Sequence, residues 1–332
     1  MAYKPRHLMT LFLPALLLAG FAVSCTDTDV LPDAGTPSID FGTPALTRGV
    51  VTSDADMDAF DVWGWYKPTE GSETATDTLV FNATPVTKKG NSWKYDNPQR
   101  WLLGKTYRFY AVYPSSGATN KGYESASYDK DGNLAITNFD CTKGVDLMTA
   151  SREGCVADDM VADVTPVEFT FQHLLARVEF VVKRHSASVG ITNFSPSVNS
   201  AKLYGMYATG DFDATGWELP GNNVGNRTDV NNPLVSMNDS KSVNNDPVTL
   251  LDVMLCPQTI EREFNFSIGF RTTDTGSYTN QTINLTTINL TKWEAGKHYR
   301  YTFTITPDDR ILVEIPTVSE WGNASGGIII VD

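Results

Sequence analysis

Cysteine is scarce in this sequence, and the few cysteines do not form a recognisable motif. They lie at positions 25, 141, 155 and 256 of 332 residues, and none is separated from another by only two residues. Zinc knuckles and thioredoxin-like redox sites need such closely spaced pairs, so neither is predicted. Setting Cys25 aside leaves an odd number, which is not a disulfide framework. Cys141 and Cys155 either pair in an oxidising compartment or remain buried thiols.

Histidine is equally scarce, and no catalytic or metal-binding set of side chains is recognisable. The four histidines, at positions 7, 173, 185 and 298, lack ligand spacing. Residues 129–133, Asp-Lys-Asp-Gly-Asn, hint at a calcium loop, but the glycine comes too early, and an Asp-Gly hairpin turn explains them better. Trp63, Trp65 and Tyr66 could stack on a sugar, although packing among strand aromatics is the favoured interpretation. No enzyme activity, metal or cofactor is predicted.

Basic residues are too few for a protein that binds polyanions. Lysine and arginine total 26 against 39 acidic residues, and the net charge is −13. Nucleic-acid binding and attraction to anionic lipid headgroups both need clustered positive charge, so neither is expected. Beyond the N-terminus, no stretch approaches membrane-spanning length.

The N-terminus has the pattern of an export signal. Lys4 and Arg6 precede an apolar stretch over 8–22, whose last residue is Ala22 and which is followed by Val-Ser and then Cys25. This order resembles a bacterial lipobox, in which the cysteine is lipidated and becomes the new N-terminus. We therefore predict a signal peptide over 1–24 and a membrane attachment made only through lipid on Cys25. An ordinary signal-peptidase site with an incidental cysteine is the alternative.

Beyond residue 49 the sequence is typical of an all-β protein. Residues 263–271 and 297–306 place apolar side chains at every second position, which indicates strands with one buried face. The length allows two domains, so we predict two antiparallel β-sandwiches in series, over 49–172 and 173–321. The predicted strands cover 60–66, 77–82, 91–95, 106–113, 134–139, 166–171, 174–183, 201–208, 248–255, 263–271, 281–290, 297–306 and 311–315.

Two terminal segments are candidates for strands that exchange one pairing partner for another. In the turn-rich segment 25–48, Ile39 and Phe41 would point to one face of a short strand, and Arg48 is an exposed tryptic point before Gly49. At the other end, a polar stretch within 322–332 leads into four β-branched residues. Such a tail either closes its own domain or is offered to another chain. These four residues are Ile328, Ile329, Ile330 and Val331.

An ordered set of motifs along the chain resembles the fimbrillin family of Bacteroidales, the subunits of type V pili. Each motif is modestly specific, whereas the set covers essentially the whole chain. It comprises the lipobox at Cys25, Leu-Thr-Arg at 46–48, Val-Asp-Leu-Met-Thr-Ala at 145–150, the stretch 169–180, the stretch 293–305 and Val-Ser-Glu-Trp at 318–321.

The resemblance implies a function for both ends. Family members are lipoprotein precursors with two transthyretin-like sandwich domains, and an arginine-specific protease cuts the N-terminal segment before strand exchange between subunits. Here it implies cutting between Arg48 and Gly49, loss of the strand carrying Ile39 and Phe41, and donation of the tail 322–332 to the next copy or a related pilin. The outer-membrane precursor would become an extracellular fimbrium. The alternatives are a tip or anchor pilin and a monomeric, anchored glycan- or protein-binding lipoprotein.

Overall fold

The computed structural model describes residues 36–46, 57–68, 76–157, 166–186, 190–221 and 226–321. Twenty-three strands account for most of the regular structure in these residues, and only short 3₁₀ turns accompany them. The all-β prediction is therefore confirmed. None of the helices in these ranges is long and apolar enough to cross a membrane.

The first sheet has seven strands, and its central strands β2 and β5 are buried on both faces. Along β5, Tyr107, Phe109 and Ala111 belong to one apolar cluster, whereas Tyr110 and Val112 belong to another. This division follows from the two-residue period of a strand. In spatial order the strands are β1 (Ala45–Leu46), β9 (Thr170–His173), β8 (Met148–Ala157), β5 (Lys105–Tyr113), β2 (Ala59–Pro68), β3 (Thr78–Lys89) and β4 (Ser92–Lys94).

A four-stranded sheet combines strands from both halves of the chain. It contains β6 (Ser125–Tyr128), β7 (Leu134–Asp140), β12 (Thr209–Asp213) and β13 (Gly216–Glu218). The β12–β13 hairpin pairs with β7, so residues beyond the predicted domain boundary at 172/173 complete a sheet begun before it. Phe139 of β7 meets Trp217 of β13 at 5.7 Å between ring centroids. The boundary itself stays a prediction.

The second half forms two five-stranded sheets and a short two-stranded ribbon. Phe266 packs against both Phe180 and Phe303, with ring centroids 4.7 Å from each, and joins the two larger sheets. One five-stranded sheet contains β16 (Val248–Leu255), β10 (Ala176–Arg184), β21 (Lys297–Ile305), β22 (Ile311–Val313) and β23 (Thr317–Glu320). The other contains β14 (Val235–Met237), β11 (Ser197–Tyr204), β15 (Lys241–Ser242), β18 (Asn265–Arg271) and β19 (Thr279–Asn284). The ribbon pairs β17 (Gln258–Thr259) with β20 (Lys292–Trp293).

Pairing is mostly antiparallel, as predicted, but two pairs are parallel. Strand β1 runs parallel to β9, and β10 runs parallel to β21. Parallel neighbours need a long crossover connection, and in both pairs many other strands intervene along the chain. Alternation of side chains predicts a buried face but not the direction of the neighbouring strand. Neither parallel pair could therefore be predicted from the sequence.

Candidate functional site

Residues 36–46, the plug segment, lie along the first sheet and are held by backbone hydrogen bonds on both sides. On one side, the Ile39 N–H donates to Gln99 O at 2.8 Å. On the other, the Val167 N–H donates to Asp40 O at 2.7 Å, and the Gly42 N–H donates to Val167 O at 2.9 Å. The plug segment therefore fills a gap between the chain that precedes β5 and the chain that enters β9.

Ile39 and Phe41 are the apolar anchors of the plug segment. They are 0% and 4% exposed, and both belong to the cluster on one face of the first sheet. Their shared face matches the prediction from sequence. The Phe41 ring packs against four other rings, with centroids 5.6 to 6.0 Å away; these belong to Phe81, Tyr95, Phe109 and Phe169.

Tyr95 joins the apolar and polar contacts of the plug segment. Its hydroxyl donates to Ile39 O at 2.7 Å and accepts from the Gln99 N–H at 3.0 Å. Burial raises the pKa of Tyr95 to about 12, so the phenol keeps its proton even at a pH where an ordinary tyrosine ionises. A shallow cavity of about 340 Å³ lies beside this residue and is lined by Val80–Pro85, Tyr95–Asn97 and Gln99.

The plug segment covers the plug groove, which we define as the surface of Phe81, Tyr95, Phe109 and Phe169 together with the backbone N–H and C=O of Val167. Removing the segment would expose the aromatic surface and leave the Val167 N–H and C=O unpaired. Such an open sheet edge is a template for another strand. The sequence did not identify the groove residues, because only the folded topology brings together aromatics so distant along the chain.

The C-terminal tail starts from a well-packed position. Strand β23 pairs with β21, and the Trp321 N–H donates to Gly296 O at 2.7 Å. The Trp321 indole stacks on the His173 ring at 4.0 Å between centroids, and His173 Nδ1 lies 3.0 Å from Asp146 Oδ1. Residue 321 is thus anchored on residues that connect the two halves of the chain.

Several predicted site residues lie outside the described ranges. They are Cys25, Arg48, Gly49, Ile328, Ile329, Ile330 and Val331. Their roles stay predictions. Of the predicted set, the structure places Ile39 and Phe41, and it brings these two together.

The secondary candidates from the sequence have structural explanations. Trp63 and Trp65 are 2% and 7% exposed, so they pack inside the protein and offer no open platform for a sugar. The Asp129 carboxylate accepts hydrogen bonds from the backbone N–H groups of Asp131 and Asn133, both at 2.9 Å, as expected for a hairpin turn. Within the described ranges, no cluster of three or more His, Cys, Asp or Glu side chains could hold a metal.

Cys141 and Cys155 do not pair with each other. Both are buried free thiols, which is the second of the two alternatives considered from sequence. They belong to different apolar clusters, because Cys155 lies on β8 and faces the cluster that contains the plug segment. The neighbour of Cys141 is Cys256, whose Sγ lies 3.3 Å from that of Cys141.

Comparison with known proteins points to one family. A solved fimbrial protein from Bacteroides vulgatus matches with a TM-score of 0.58 and 17% identity over 86% of this chain and 99% of its own. A candidate cell adhesion protein from Bacteroides ovatus matches with a TM-score of 0.53 and 18% identity over 90% and 99%. These likenesses concern the fold.

No curated protein matches the sequence at a significant level. A sequence profile described as fimbrillin-like, in contrast, matches residues 47–321. This match covers most of the chain and includes nearly all residues that the structure describes. The chain belongs to the fimbrillin-like family.

Proposed function

We propose that this protein is a structural subunit of a type V pilus, most suited to the shaft, and that it polymerises by protease-triggered strand exchange. Family membership supports a pilus or adhesin role at the cell surface. The observation that carries the finer proposal is the plug segment, which inserts Ile39 and Phe41 into the core but precedes Arg48 in the sequence. A cut after Arg48 would separate this segment from the domain it completes.

Covalent attachment explains why the precursor would stay monomeric. Burial of Ile39 and Phe41 contributes about 3–6 kcal/mol as an upper estimate. While the segment is tethered, its effective concentration at the groove is on the order of millimolar, so a strand from another chain competes poorly. After the cut this advantage is lost, and the segment can leave.

The tail 322–332 is the proposed replacement. Its 11 residues reach about 36 Å when extended, which is enough to cross a domain. Ile328 and Ile330, the two side chains proposed to enter the groove, would contribute about 3–6 kcal/mol as an upper estimate, which equals what the plug segment offers. Burial of Ile329 and Val331 as well would bring the total to about 6–12 kcal/mol. Because donor and acceptor surfaces differ, the contact is heterologous and gives an open filament.

The membrane anchor fits the same scheme. Lipid on Cys25 would hold the precursor at the outer membrane, and Cys25 lies on the N-terminal side of Arg48. One cut by an arginine-specific protease would therefore release the subunit from the membrane and open its groove together. Assembly would be limited to protein that has already reached the protease.

The proposal is tested by treating the purified precursor with an arginine-specific protease and following ladders of oligomers on gels without heating. The untreated chain should stay monomeric, the cut chain should start at Gly49 and form ladders, and deletion of 327–332 should abolish them. Arg48→Ala should block both cleavage and assembly. If another protease site replaces 47–49, its own protease should restore the ladders.

The two faces of the tail provide a matched control. The pair Ile328→Asp with Ile330→Asp should prevent ladders, because alternate residues of a strand face the same way and these two are proposed to enter the groove. The pair Ile329→Asp with Val331→Asp adds the same charge on the other face and should weaken assembly less. A cut chain that remains monomeric and binds a glycan or protein saturably would instead support the monomeric binder. A subunit that only accepts a tail would support a tip role.

A further inference from the structure

Two buried thiols from distant parts of the chain lie in contact in the protein interior. The Sγ atoms of Cys141 and Cys256 lie 3.3 Å apart, and the residues are 115 positions apart in sequence. Their exposed fractions are 6% and 0%. The Cys256 N–H donates to Cys141 Sγ at 3.1 Å, which holds the two residues in this arrangement.

These thiols lie where sheets from the two halves of the chain meet. Cys141 directly follows β7 of the four-stranded sheet, and Cys256 directly follows β16 at the end of a second-half sheet. The Cys141 N–H also donates to Ala208 O at 2.8 Å. Gln258 supports the same junction, since its Oε1 accepts from the Tyr207 N–H at 3.1 Å.

We propose that Cys141 and Cys256 form a disulfide bond in the exported protein. A disulfide needs its sulfurs about 2.0 Å apart, so the two sulfurs would have to approach by about 1.3 Å from their present separation of 3.3 Å. The two thiols lose two protons and two electrons. The electrons reduce the disulfide of a thiol oxidoreductase, or of a small-molecule disulfide, in the oxidising compartment through which the chain passes.

The surroundings indicate when this bond forms. Burial, together with the neighbouring Cys141 thiol, raises the pKa of Cys256 well above its usual range. Because the thiolate is the reactive species, exchange in the folded protein is slow. The bond therefore forms while the chain is folding, and the same burial then protects it from reductants.

Cys155 is the thiol that remains. It lies on β8 in the other apolar cluster, where burial raises its pKa above the usual range. With Cys141 and Cys256 joined, one odd cysteine is left inside the folded domain, sheltered from exchange. This pairing differs from the one that the sequence alone suggested.

One consequence rests on the proposed function. If the groove accepts one neighbour and the tail from residue 321 reaches the next, tension along a fibre crosses the junction between the two halves. A covalent link between β7 and β16 would carry part of that load. Disulfide formation itself does not depend on assembly. The disulfide can therefore be absent while strand exchange occurs, and strand exchange can be absent while the disulfide forms.

The bond is tested on protein extracted from the cell surface, denatured in the presence of an alkylating reagent and digested without reduction. Mass spectrometry should show a linked peptide pair containing Cys141 and Cys256, and an alkylated Cys155. Because peptides are identified by mass, Cys25 is scored separately in any uncut precursor. Alkylation of all three cysteines, or a link that includes Cys155, would overturn the proposal.

A stability measurement provides the second readout. Reduction in denaturant followed by refolding in reductant should lower the Tm of the wild-type chain by about 5–10 °C, as expected for a bond that closes a loop of on the order of 100 residues. For Cys141→Ala and Cys256→Ala, the Tm should be the same with and without reductant, whatever the cost of each substitution. Cys155→Ala should keep the full redox-dependent shift. A wild-type Tm that does not respond to reduction would count against the bond.

Discussion

Among single side chains, Phe41 links the N-terminal segment most strongly to the folded protein. Its ring stacks on Phe169 with centroids 5.8 Å apart and meets Phe81, Tyr95 and Phe109 edge-on. Aromatic pairs of this kind contribute beyond the area they bury. The residue is nevertheless attached to the domain only through a segment that a single cut would separate, so its contribution should be conditional on an intact chain.

We expect Phe41→Ala to lower the free energy of unfolding of the uncut precursor by about 3–5 kcal/mol, because a large cavity is left among the four neighbouring rings. Urea unfolding followed by tryptophan fluorescence measures the change. Leu79→Ala is the control, since Leu79 is 49% exposed and should change stability by less than about 0.5 kcal/mol. After cleavage and removal of the segment, wild type and variant should be equally stable; a persisting difference would mean that the cut segment stays bound.

Glu179 is a second side chain whose contribution can be isolated. Burial raises its pKa, but the nearby His298, whose Nε2 lies 3.4 Å from the carboxylate, the hydrogen bond from Thr249 and the charge of Arg300 outweigh this effect and lower the pKa from 4.5 to about 2. Thr249 Oγ1 donates to the carboxylate at 2.8 Å, and Arg300 Nε lies 3.2 Å from it. The folded state therefore favours the ionised carboxylate more than the unfolded state does.

A folded pKa below the unfolded value gives stability that is present above pH 4.5 and is lost as pH falls towards 2. Glu179→Gln should therefore cost about 2–3 kcal/mol at pH 7, and the difference from wild type should shrink between these pH values. Thermal unfolding across that pH series measures it, with the exposed Glu124→Gln as the control. A deficit that is the same at pH 7 and at pH 2.5 would show that the carboxylate is not the cause.

How far the sequence predicts single residues depends on whether their partners are local. The alternation of Ile39 and Phe41 was enough to predict that they share a face, because a strand has a two-residue period. The rings that pack on Phe41 come from β3, the residue after β4, β5 and the chain entering β9, and no local pattern in the sequence predicts that they meet. The thiol pair Cys141–Cys256 was missed for the same reason, since its members are brought together only by the packing of separate sheets.

Among the strands, those with an alternating buried face were predicted well, and those with a mixed pattern were not. Val248–Leu255 was predicted with its observed bounds, and the tyrosine- and phenylalanine-rich face of β21 is fully buried. Strand β8, Met148–Ala157, was missed because four consecutive exposed residues in its middle hide the alternation. The short strands β12 and β13 were missed as well, since three to five residues carry too little pattern to recognise.

The end of β11 depends on a glycine that no other residue can replace. Gly205 has a φ of +98°, and a Cβ added there would lie 1.7 Å from the backbone oxygen of Glu263. Its N–H donates to Thr228 O at 2.9 Å, so the strand cannot simply move away without losing this bond. Gly216, the first residue of β13, has a similar φ of +112° but open space around it.

This pair of glycines separates steric overlap from backbone strain. Gly205→Ala should destabilise the protein by about 3–5 kcal/mol, since it combines a strained φ with a clash against backbone that has to shift. Gly216→Ala should cost only the strain, about 1–3 kcal/mol. Denaturant unfolding of both variants gives the comparison. Equal losses would mean that the chain around Glu263 yields easily, and that the close approach does not determine this strand end.

In the molecule as a whole, the groove proposed to accept a strand and the tail proposed to donate one belong to different sheets. The plug groove lies on the first sheet, whereas residue 321 leaves from β23 at the edge of a second-half sheet. The β12–β13 hairpin completes the sheet of β7 and so connects the two halves of the chain. A tail bound at one end should therefore leave the other end free to act, and the two activities should be separable by mutation.

This separation predicts a dimer that cannot grow. Under the proposed scheme, an Arg48→Ala precursor keeps its groove filled but can donate its tail. A cut chain lacking 327–332 has an open groove but no donor strand. Neither should assemble alone. Mixed together, they should give a complex of one donor and one acceptor and nothing larger, because each can make only one of the two contacts. Size-exclusion chromatography with light scattering measures the mass.

A donor carrying Ile328→Asp and Ile330→Asp is the matched control and should give no complex with the same acceptor. Longer oligomers in the mixture without these aspartate substitutions would mean that the precursor accepts a tail with its plug segment still in place. That result would contradict the requirement for cleavage. Complexes between two precursors that both carry Ile328→Asp and Ile330→Asp would mean that subunits associate through a contact other than donation of the tail. Only a one-to-one complex that needs the tail of one chain and the cut of the other agrees with directional strand exchange.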